Sequence, residues 1–367
     1  MSNKKKIAAI AAVAAAVPVL AVGAASVTTA VMMRQNFQRG SYPERKRSTK
    51  YWYDPDYITK HPRLNVEFES CGNTLQGYIY GLEIEKPKAL LVFAHGITTG
   101  HEMYINSLMW FVDQGYLVFS YDATGSCTSD GSGTVGLVQS ALDLDNALKF
   151  AEQYERFEGL PVVLFGHSWG GYAVAAVQNF DHDIKAVCSV SGYADPLEML
   201  KLGAEQNTKM PRFVKAMSPF IWGYNKATFR DHSDLNAVAG INRSGIPNLI
   251  VHGDQDHFVD YDKVSILSKQ KQITNPNVEY YTLSGAFANH EDIWRSEDAN
   301  VYLKEFRQHI AELTETFSGA ELEKALDECY AEADKTVTNQ VNVEMLRKIE
   351  AFYTEHLQTA ENPTEQA

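Results

Sequence analysis

The chain has 367 residues and a formal net charge of −13 at neutral pH. With 45% hydrophobic and 22% charged residues, it has the composition of a globular protein long enough for one large domain or two smaller ones. The acidic balance argues against a nucleic-acid partner, which would require a basic face. The four cysteines show no Cys-x-x-Cys spacing, so we expect no zinc or redox motif.

The N-terminus begins with a cluster of lysines followed by an apolar run over residues 7–33. As a helix this run would be roughly 40 Å long, more than the hydrocarbon core of a bilayer, which is about 30 Å thick. Its length favours an uncleaved single-pass anchor, because the apolar part of a signal peptide is usually only about 7–15 residues long. Small residues at 24–26 and 28–30 keep cleavage, and therefore secretion, as the alternative.

We therefore assign residues 1–35 to a membrane anchor or signal segment, with a lipid bilayer as the partner of residues 7–33. Residues 36–63 are predicted to form a polar linker that carries the body away from the bilayer. Basic residues flank both ends of the apolar run, so they do not fix the side of the membrane on which the body lies.

The body begins with two alternating patterns at 64–69 and 75–82, which predict an antiparallel hairpin. Short apolar runs then predict four buried strands, at 89–94, 116–121, 161–165 and 186–190. Helical patterns lie between these runs, at 102–114, 136–156 and 169–179. Strands of this kind separated by helices predict a parallel sheet covered on both faces.

The alternation stops over residues 193–245, which lack a strand-like run but are rich in methionine and aromatic residues. We predict a helical insertion there. The alternation then resumes with strands at 248–251 and 278–283 and helices near 260–272 and 291–313. Two charged amphipathic helices, at 320–334 and 343–357, are predicted to pack on the outside of the body as a C-terminal extension over 314–367.

The segment Gly166-His167-Ser168-Trp169-Gly170 lies between a predicted strand and a predicted helix. This is the context of a nucleophile elbow, in which a serine sits on a sharp turn at the edge of a sheet. Gly166 and Gly170 remove the Cβ atoms that would collide in such a turn. The helix that follows directs its N–H groups and positive dipole toward the place where an oxyanion would form. Ser168 is therefore the predicted nucleophile.

A serine hydroxyl needs a base to take its proton and an acid to orient that base, expected in the order Ser, Asp, His along this type of chain. Asp254, Asp256 and Asp260 follow the strand at 248–251 and compete for the role of the acid. His290 lies on the loop after the last predicted strand and is the predicted base. Carboxyl ends of neighbouring parallel strands share one edge of a sheet, which would bring these groups to Ser168.

An oxyanion hole needs two backbone N–H donors, one from the residue after the nucleophile and one from the loop after an earlier strand. The first of these residues is Trp169. The second is Ile97, because Gly96 before it lets the backbone turn beneath a substrate carbonyl.

These motifs resemble the α/β-hydrolase superfamily, in the branch that groups serine aminopeptidase-like proteins with monoacylglycerol-lipase-like esterases. The resemblance covers about residues 64–313 and rests on the following segments: Ala94-His95-Gly96, Tyr121-Asp122, the elbow with Gly171, His252-Gly253-x-x-Asp256-x-x-Val259, and His290. It implies an eight-stranded, mostly parallel sheet with helices on both faces and a helical cap at 193–245. It also implies that Asp256 is the acid. Residues 122–129 depart from the family pattern, because they lack its arginine and its second glycine.

The resemblance implies a serine hydrolase that cleaves carboxylic esters through an acyl-enzyme, and the apolar insertion would suit an acyl chain. One alternative is an aminopeptidase or amidase, for which Glu198 and Glu205 are candidate ligands of the substrate amine. A second is an inactive, membrane-tethered binding protein. The sequence has no metal constellation, phosphate-binding loop or nicotinamide fingerprint, so the expected partner is a small-molecule ester or amide and no cofactor is expected.

Overall fold

The structure is a computed structural model that describes residues 22–50, 52 and 60–361. Its eight strands are β1 Leu64–Ser70, β2 Asn73–Tyr80, β3 Leu90–Ala94, β4 Leu117–Tyr121, β5 Val162–His167, β6 Ile184–Val190, β7 Asn248–Gly253 and β8 Val278–Leu283. The described α-helices are α1 (residues 22–36), α2 Ile105–Asp113, α3 Gln139–Gln153, α4 Trp169–Ala176, α5 Pro196–Thr208, α6 Pro211–Phe229, α7 Ala237–Ser244, α8 Glu297–Thr316, α9 Gly319–Glu332, α10 Lys335–Thr338 and α11 Val343–Glu361.

The strands form one sheet in the order β1-β2-β4-β3-β5-β6-β7-β8. The β1–β2 and β2–β4 pairs are antiparallel, and the pairs from β4 through β8 are parallel. The predicted hairpin and the predicted mostly parallel sheet are therefore confirmed. The carboxyl ends of the parallel strands β3, β5, β7 and β8 lie along one edge of the sheet. The strands are followed, in this order, by Ile97, Ser168, Asp256 and His290.

The sheet is buried on both faces, as the apolar strand sequences predict. Leu90 and Val92 of β3 pack into a core with α3 and α4, whereas Leu91 and Phe93 pack into a second core with α2 and α11. Successive side chains of a strand point to opposite faces, so one short apolar run supplies both cores.

Helix α11 was predicted to pack on the outside of the body, but its apolar residues lie in the core. Leu346, Ile349, Phe352 and Tyr353 are all buried in the second core. The Tyr353 hydroxyl also donates a hydrogen bond of 2.6 Å to the carbonyl of Leu164 in β5. The apolar stripe of this helix therefore completes one face of the sheet instead of lying on an already complete body.

The predicted helix near 260–272 is also different. This stretch forms turns followed by the 3₁₀ helix Leu267–Gln272. In the predicted insertion, α5 and α6 lie over the edge of the sheet that carries Ser168, whereas α7 packs against α4 in the body.

The N-terminal segment lies on the body where it is described. Met33 and Phe37 are buried in the first core, at the end of α1. The Arg39 guanidinium donates hydrogen bonds of 2.6–2.7 Å to the carbonyls of Gly131, Cys127 and Ser129. This part of the predicted linker thus packs along the body as an ordered strap. The arginine expected by resemblance within residues 122–129 is absent, but another arginine binds the same loop.

Among the helices described, none has the length and apolarity needed to span a membrane. The greater part of the predicted anchor, residues 7–21, lies outside the described residues.

Candidate active site

Ser168 sits on a sharp turn between β5 and α4, with backbone angles φ 58° and ψ −112°. A non-glycine residue in this conformation is strained by about 1–3 kcal/mol and persists only where its surroundings enforce it. The Ser168 N–H donates a 2.9 Å hydrogen bond to the carbonyl of Val190 in β6. A Cβ atom on Gly166 would overlap the carbonyl of Gly170, and one on Gly170 would overlap the carbonyl of Ala94. Close backbone packing therefore holds the strained serine at the sheet edge.

This packing predicts a large effect of Gly170→Ala on stability. We expect the free energy of unfolding to fall by about 3 kcal/mol, because the added methyl group would collide with backbone atoms of β3 that have no room to move. Urea unfolding followed by circular dichroism measures the change. Gly223→Ala in α6 is the matched control, since its Cβ would meet nothing within 4 Å. It should be neutral or stabilising by up to about 1 kcal/mol. Equal stabilities of the two variants would contradict the packing argument.

Three of the predicted residues form one hydrogen-bonded series. The Nε2 atom of His290 lies 2.9 Å from Ser168 Oγ, and its Nδ1 atom lies 2.7 Å from Asp256 Oδ2. A carboxylate only accepts hydrogen bonds, so Nδ1 carries the proton and Nε2 is free to accept from the serine hydroxyl. The competing acids lie apart from His290. Asp254 bonds to its neighbour Gln255, and Asp260 pairs with Lys263 at 2.6 Å.

The Asp256 carboxylate is buried and fully surrounded by donors. The N–H groups of Phe258 and Val259 donate to its Oδ1 atom at 3.0 and 2.9 Å, and His252 Nε2 lies 3.1 Å from Oδ2. Burial alone raises the pKa of Asp256, but hydrogen bonds from His252 and His290 outweigh it and hold that pKa well below its ordinary value. The residue is therefore ionised at neutral pH. The role of His252 as a second donor to Asp256 was not predicted from the sequence.

The two predicted oxyanion donors lie beside Ser168. Trp169 is the first residue of α4, so its N–H has no acceptor within the helix. Ile97 follows β3, and its N–H makes no hydrogen bond to any residue that the structure describes. Gly96 is needed at this turn because a Cβ atom there would lie 2.7 Å from the Tyr104 hydroxyl.

A second hydrogen-bonded series, not predicted from the sequence, joins the Gly96 turn to the His290 loop. The Gly96 N–H donates to the Tyr104 hydroxyl at 3.2 Å, and that hydroxyl lies 2.8 Å from His167 Nδ1. His167 Nε2 in turn lies 3.2 Å from the carbonyl of His290 and donates to it. Burial lowers the pKa of His167 well below its ordinary value, so the ring is neutral and can accept from Tyr104 while donating to the carbonyl. Tyr104 and His167 are positioning residues for both loops.

Two cavities meet at Ser168. One, of about 520 Å³, is mostly apolar and is enclosed by α1 and the cap helices through side chains that include Met33, Met199 and Val214. Adaptable methionines are suited to an irregular apolar ligand. Sequence reasoning did not place any residue of the N-terminal segment at the site, and no pattern within that segment pointed to it.

The other cavity, of about 400 Å³, also reaches Ser168; its lining has a larger polar share than that of the first, and we call it the polar cavity. His290 lines this cavity but not the apolar one. Lys50, Glu291 and Arg295 are the charged side chains at its wall.

Glu198 and Glu205, the carboxylates considered as ligands of a substrate amine, lie outside both cavities. Glu198 pairs with Lys269 at 2.8 Å, and Glu205 faces a separate surface depression. No cluster of metal-ligating side chains occurs within the described ranges.

Comparison with known proteins adds a family match. Residues 85–224 match the family described as Serine aminopeptidase, S33. Polyketide transferase af380 of Aspergillus fumigatus is 28% identical over 137 residues, which are 36% of this chain and 46% of that protein. Quorum-quenching protein AidA of Acinetobacter baumannii is 27% identical over 135 residues, 36% of this chain and 44% of that protein. The chain thus spans about half the length of the curated relatives it matches.

Among solved structures, the Pyrococcus furiosus esterase Pf2001 superposes with a TM-score of 0.52 at 17% identity, covering 76% of this chain and 100% of that one. A second crystal form of the same esterase gives a TM-score of 0.51 at 18% identity, with 77% and 100% coverage. At these identities the likeness shows a common fold. Together with the sheet order and the strand–turn–helix at Ser168, these matches show that the chain has the α/β-hydrolase fold and that residues 85–224 are similar to the serine aminopeptidase family.

Proposed function

We propose that the protein is a serine hydrolase that cleaves carboxylic esters with an apolar acyl group. The observation that carries this proposal is the hydrogen-bonded series Ser168–His290–Asp256 beyond the carboxyl ends of β5, β7 and β8, beside the N–H groups of Ile97 and Trp169. Such an arrangement supplies a nucleophile, a base and an orienting acid within contact distance of one another.

In the proposed reaction His290 Nε2 takes the Ser168 proton as Oγ attacks the ester carbonyl. Asp256 holds the ring in the required tautomer and stabilises the imidazolium that forms. The N–H groups of Ile97 and Trp169 donate to the oxyanion of the tetrahedral intermediate. His290 then returns its proton to the departing alcohol oxygen, leaving the acyl group on Ser168. A water molecule activated by the same ring hydrolyses this acyl-enzyme.

We assign each half of the ester to one of the two cavities according to the position of His290. The leaving alcohol must lie next to His290, which protonates it, and His290 lines only the polar cavity. The acyl chain therefore occupies the apolar cavity between α1 and the cap. Its volume of about 520 Å³ lies within the range of pockets that hold small organic ligands, about 300–1,000 Å³.

The surroundings of Ser168 favour ester cleavage over the action of a peptidase or amidase that recognises a substrate amine. Holding a substrate ammonium requires an unopposed acidic group near the nucleophile. Neither Glu198 nor Glu205 lines the cavities beside Ser168, and Glu291 shares the polar cavity with two cations, Lys50 and Arg295. These contacts favour an ester.

The experiment is a direct comparison of substrates. The purified protein is assayed with p-nitrophenyl esters from acetate to dodecanoate and with aminoacyl arylamides, and labelled in parallel with a fluorophosphonate. We expect labelling of Ser168 and a preference for medium-chain esters, because the acyl chain fills an apolar cavity. Fast arylamide cleavage with silent esters would contradict the proposal, and an intact protein that never labels would favour a binding function.

Tyr104→Phe tests the positioning series under this proposal. The variant keeps the ring but loses the hydroxyl that joins Gly96 to His167, so we expect kcat to fall about fivefold with little change in KM, which corresponds to a rise of about 1 kcal/mol in the activation free energy. Steady-state kinetics with p-nitrophenyl octanoate measure both constants. Tyr302→Phe is the control, since its hydroxyl accepts a 2.9 Å hydrogen bond from the Asp334 N–H far from Ser168. A change confined to KM would mean that Tyr104 contacts the substrate instead.

We also propose that the protein lies against a lipid bilayer through residues 7–33. Support comes from the outer side of α1, where Val22, Val27 and Val31 are 55%, 65% and 48% exposed. The cap adds further exposed apolar side chains in Met210, Phe213 and Trp222. Met32 and Phe213 line the apolar cavity together, so this face borders the proposed acyl site.

Flotation with liposomes tests this placement. Val13→Asp combined with Val27→Asp should reduce vesicle binding strongly, because each replaces an apolar side chain by a charge and binding at the membrane surface scales with the apolar area buried. Val301→Asp on α8 changes another exposed valine and should float like the unaltered protein. Equal flotation of the double variant, the control variant and the unaltered protein would contradict the proposal. Intact mass of the vesicle-bound protein then distinguishes an uncleaved anchor from a cleaved signal.

A further inference from the structure

The polar cavity carries two cations in its wall. Lys50 comes from the N-terminal segment and Arg295 from the turn before α8. Both side chains are only partly exposed, with 17% for that of Arg295. Glu291, on the surface at the same wall, is the one carboxylate that lines the cavity among the described residues.

The chain holds both cations in place through the loop after α10. The carbonyl of Thr49 accepts hydrogen bonds from Thr338 Oγ1 at 2.6 Å and from Asn339 Nδ2 at 2.9 Å, which fixes the backbone at Lys50. Arg295 forms a backbone bridge with Val341. Three segments far apart in the sequence therefore converge to build this wall.

The hydrogen bonds of the two cations leave donors available. The Lys50 ammonium donates to the carbonyl of Met103 at 3.4 Å, its one hydrogen bond to the described part of the chain. Arg295 Nη1 donates to the carbonyl of Glu291 at 3.1 Å and to Asp292 Oδ1 at 3.4 Å, while its Nε and Nη2 atoms make no hydrogen bond within the described residues. Asp292 offsets part of the Arg295 charge, whereas Lys50 forms no ion pair with a carboxylate of the described residues. A partly buried charge without a close partner of opposite sign is costly, so an anion in this cavity would stabilise Lys50.

The charges also act on each other. Burial and the neighbouring Arg295 guanidinium lower the pKa of Lys50 to about 8, against an opposing influence of Glu291. An anion bound between the two cations would remove this repulsion. The guanidinium fork suits a carboxylate or a phosphate, and the ammonium adds a point charge.

We propose that Lys50 and Arg295 bind an anionic group on the alcohol half of the substrate, so that the enzyme prefers esters whose leaving group carries a carboxylate or a phosphate. This inference rests on the proposed esterase function, because His290 protonates the leaving group and lines the same cavity as the two cations. The substrate class is then an ester with an apolar acyl chain and an acidic polar head.

Matched substrate pairs test the preference. The first pair is 3-carboxyphenyl octanoate and its neutral analogue 3-carbamoylphenyl octanoate. The second pair is 1-octanoylglycerol 3-phosphate and 1-octanoylglycerol. For each pair the ratio of kcat/KM, anionic over neutral, is measured with the full chain. A ratio above one in the first pair alone assigns a carboxylate, and in the second alone a phosphate.

Substitutions of the charged residues test whether the polar cavity causes the preference for an anionic leaving group. Lys50→Gln and Arg295→Gln are each expected to lower the ratio about tenfold, and Glu291→Gln on the surface should raise it. Lys271→Gln removes an exposed lysine outside both cavities and should leave the ratio and both rates unchanged. Thermal melting verifies that each variant is folded, and the gain in Glu291→Gln remains informative if a cation variant does not fold.

The ratio should also fall as the pH rises through about 8, since Lys50 loses its charge there. The other ionisable groups at this wall, Tyr104, His167 and His290, act on both members of a pair and cancel in the ratio. One outcome would overturn this inference and leave the esterase function intact. In it the neutral esters are hydrolysed, the anionic-to-neutral ratios of kcat/KM are near one, and Lys50→Gln does not change those ratios. Silence of all four esters, with no fluorophosphonate labelling, would overturn both.

Discussion

Replacement of Ser168 by alanine is expected to lower kcat for p-nitrophenyl octanoate by about 10⁶-fold and to abolish fluorophosphonate labelling. The reason is that the hydroxyl 2.9 Å from His290 Nε2 is the atom that would form the acyl-enzyme. The oxyanion donors and both cavities remain, so the variant should still bind the ester and retain a small residual rate above that in water.

Ser284→Ala is the matched control for this variant. Ser284 is an exposed serine on the loop between β8 and His290, so its replacement should leave labelling and kcat close to those of the unaltered protein. Labelling that persists in Ser168→Ala, or a rate within tenfold of the original, would show that another residue is the nucleophile. Circular dichroism of both variants excludes unfolding as the cause of lost activity.

Asp256→Asn is expected to lower kcat by about 10⁴-fold. The amide keeps the shape of the carboxylate, and its oxygen can still accept from the N–H groups of Phe258 and Val259. It loses the negative charge that stabilises the imidazolium, and its NH₂ group opposes the tautomer in which His290 Nδ1 carries the proton. Steady-state kinetics with the same ester, together with a thermal melt, measure the effect.

Asp254→Asn is the control that decides the identity of the acid. Asp254 lies on the same loop, but it is only half-buried and its carboxylate contacts Gln255 instead of His290. We expect its replacement to change kcat by less than about threefold. A larger loss in Asp254→Asn than in Asp256→Asn would exchange their roles and contradict the geometry described above.

The sheet could be predicted from the sequence because its strands are buried on both faces. Runs such as Leu90–Ala94 are apolar throughout, and the turns between them are marked by glycine and polar residues. All eight predicted strands are present with small shifts of their ends. The elbow was predictable because its pattern is local: an apolar strand, a serine flanked by glycines and a helix follow one another directly, although the contact that requires Gly170 is with Ala94 of β3.

Contacts between distant segments could not be predicted in this way. Helix α11 has the charged surface of an outer helix, and its sequence does not tell that its apolar stripe covers a sheet. Tyr104 belongs to no motif, and the motifs that contain His167 and His252 do not indicate which groups these two rings contact. Lys50 was assigned to a linker, where a lysine is ordinarily solvated.

The packing of the N-terminal segment on the body has a practical consequence. Met33 closes the apolar cavity, Arg39 binds the loop at 127–131, and Lys50 reaches the polar cavity. Removing the first fifty residues to obtain a protein that is easier to purify would therefore open both halves of the proposed substrate site at once. Kinetic constants measured on such a shortened chain would describe an enzyme with a different specificity, even with Ser168, His290 and Asp256 unchanged.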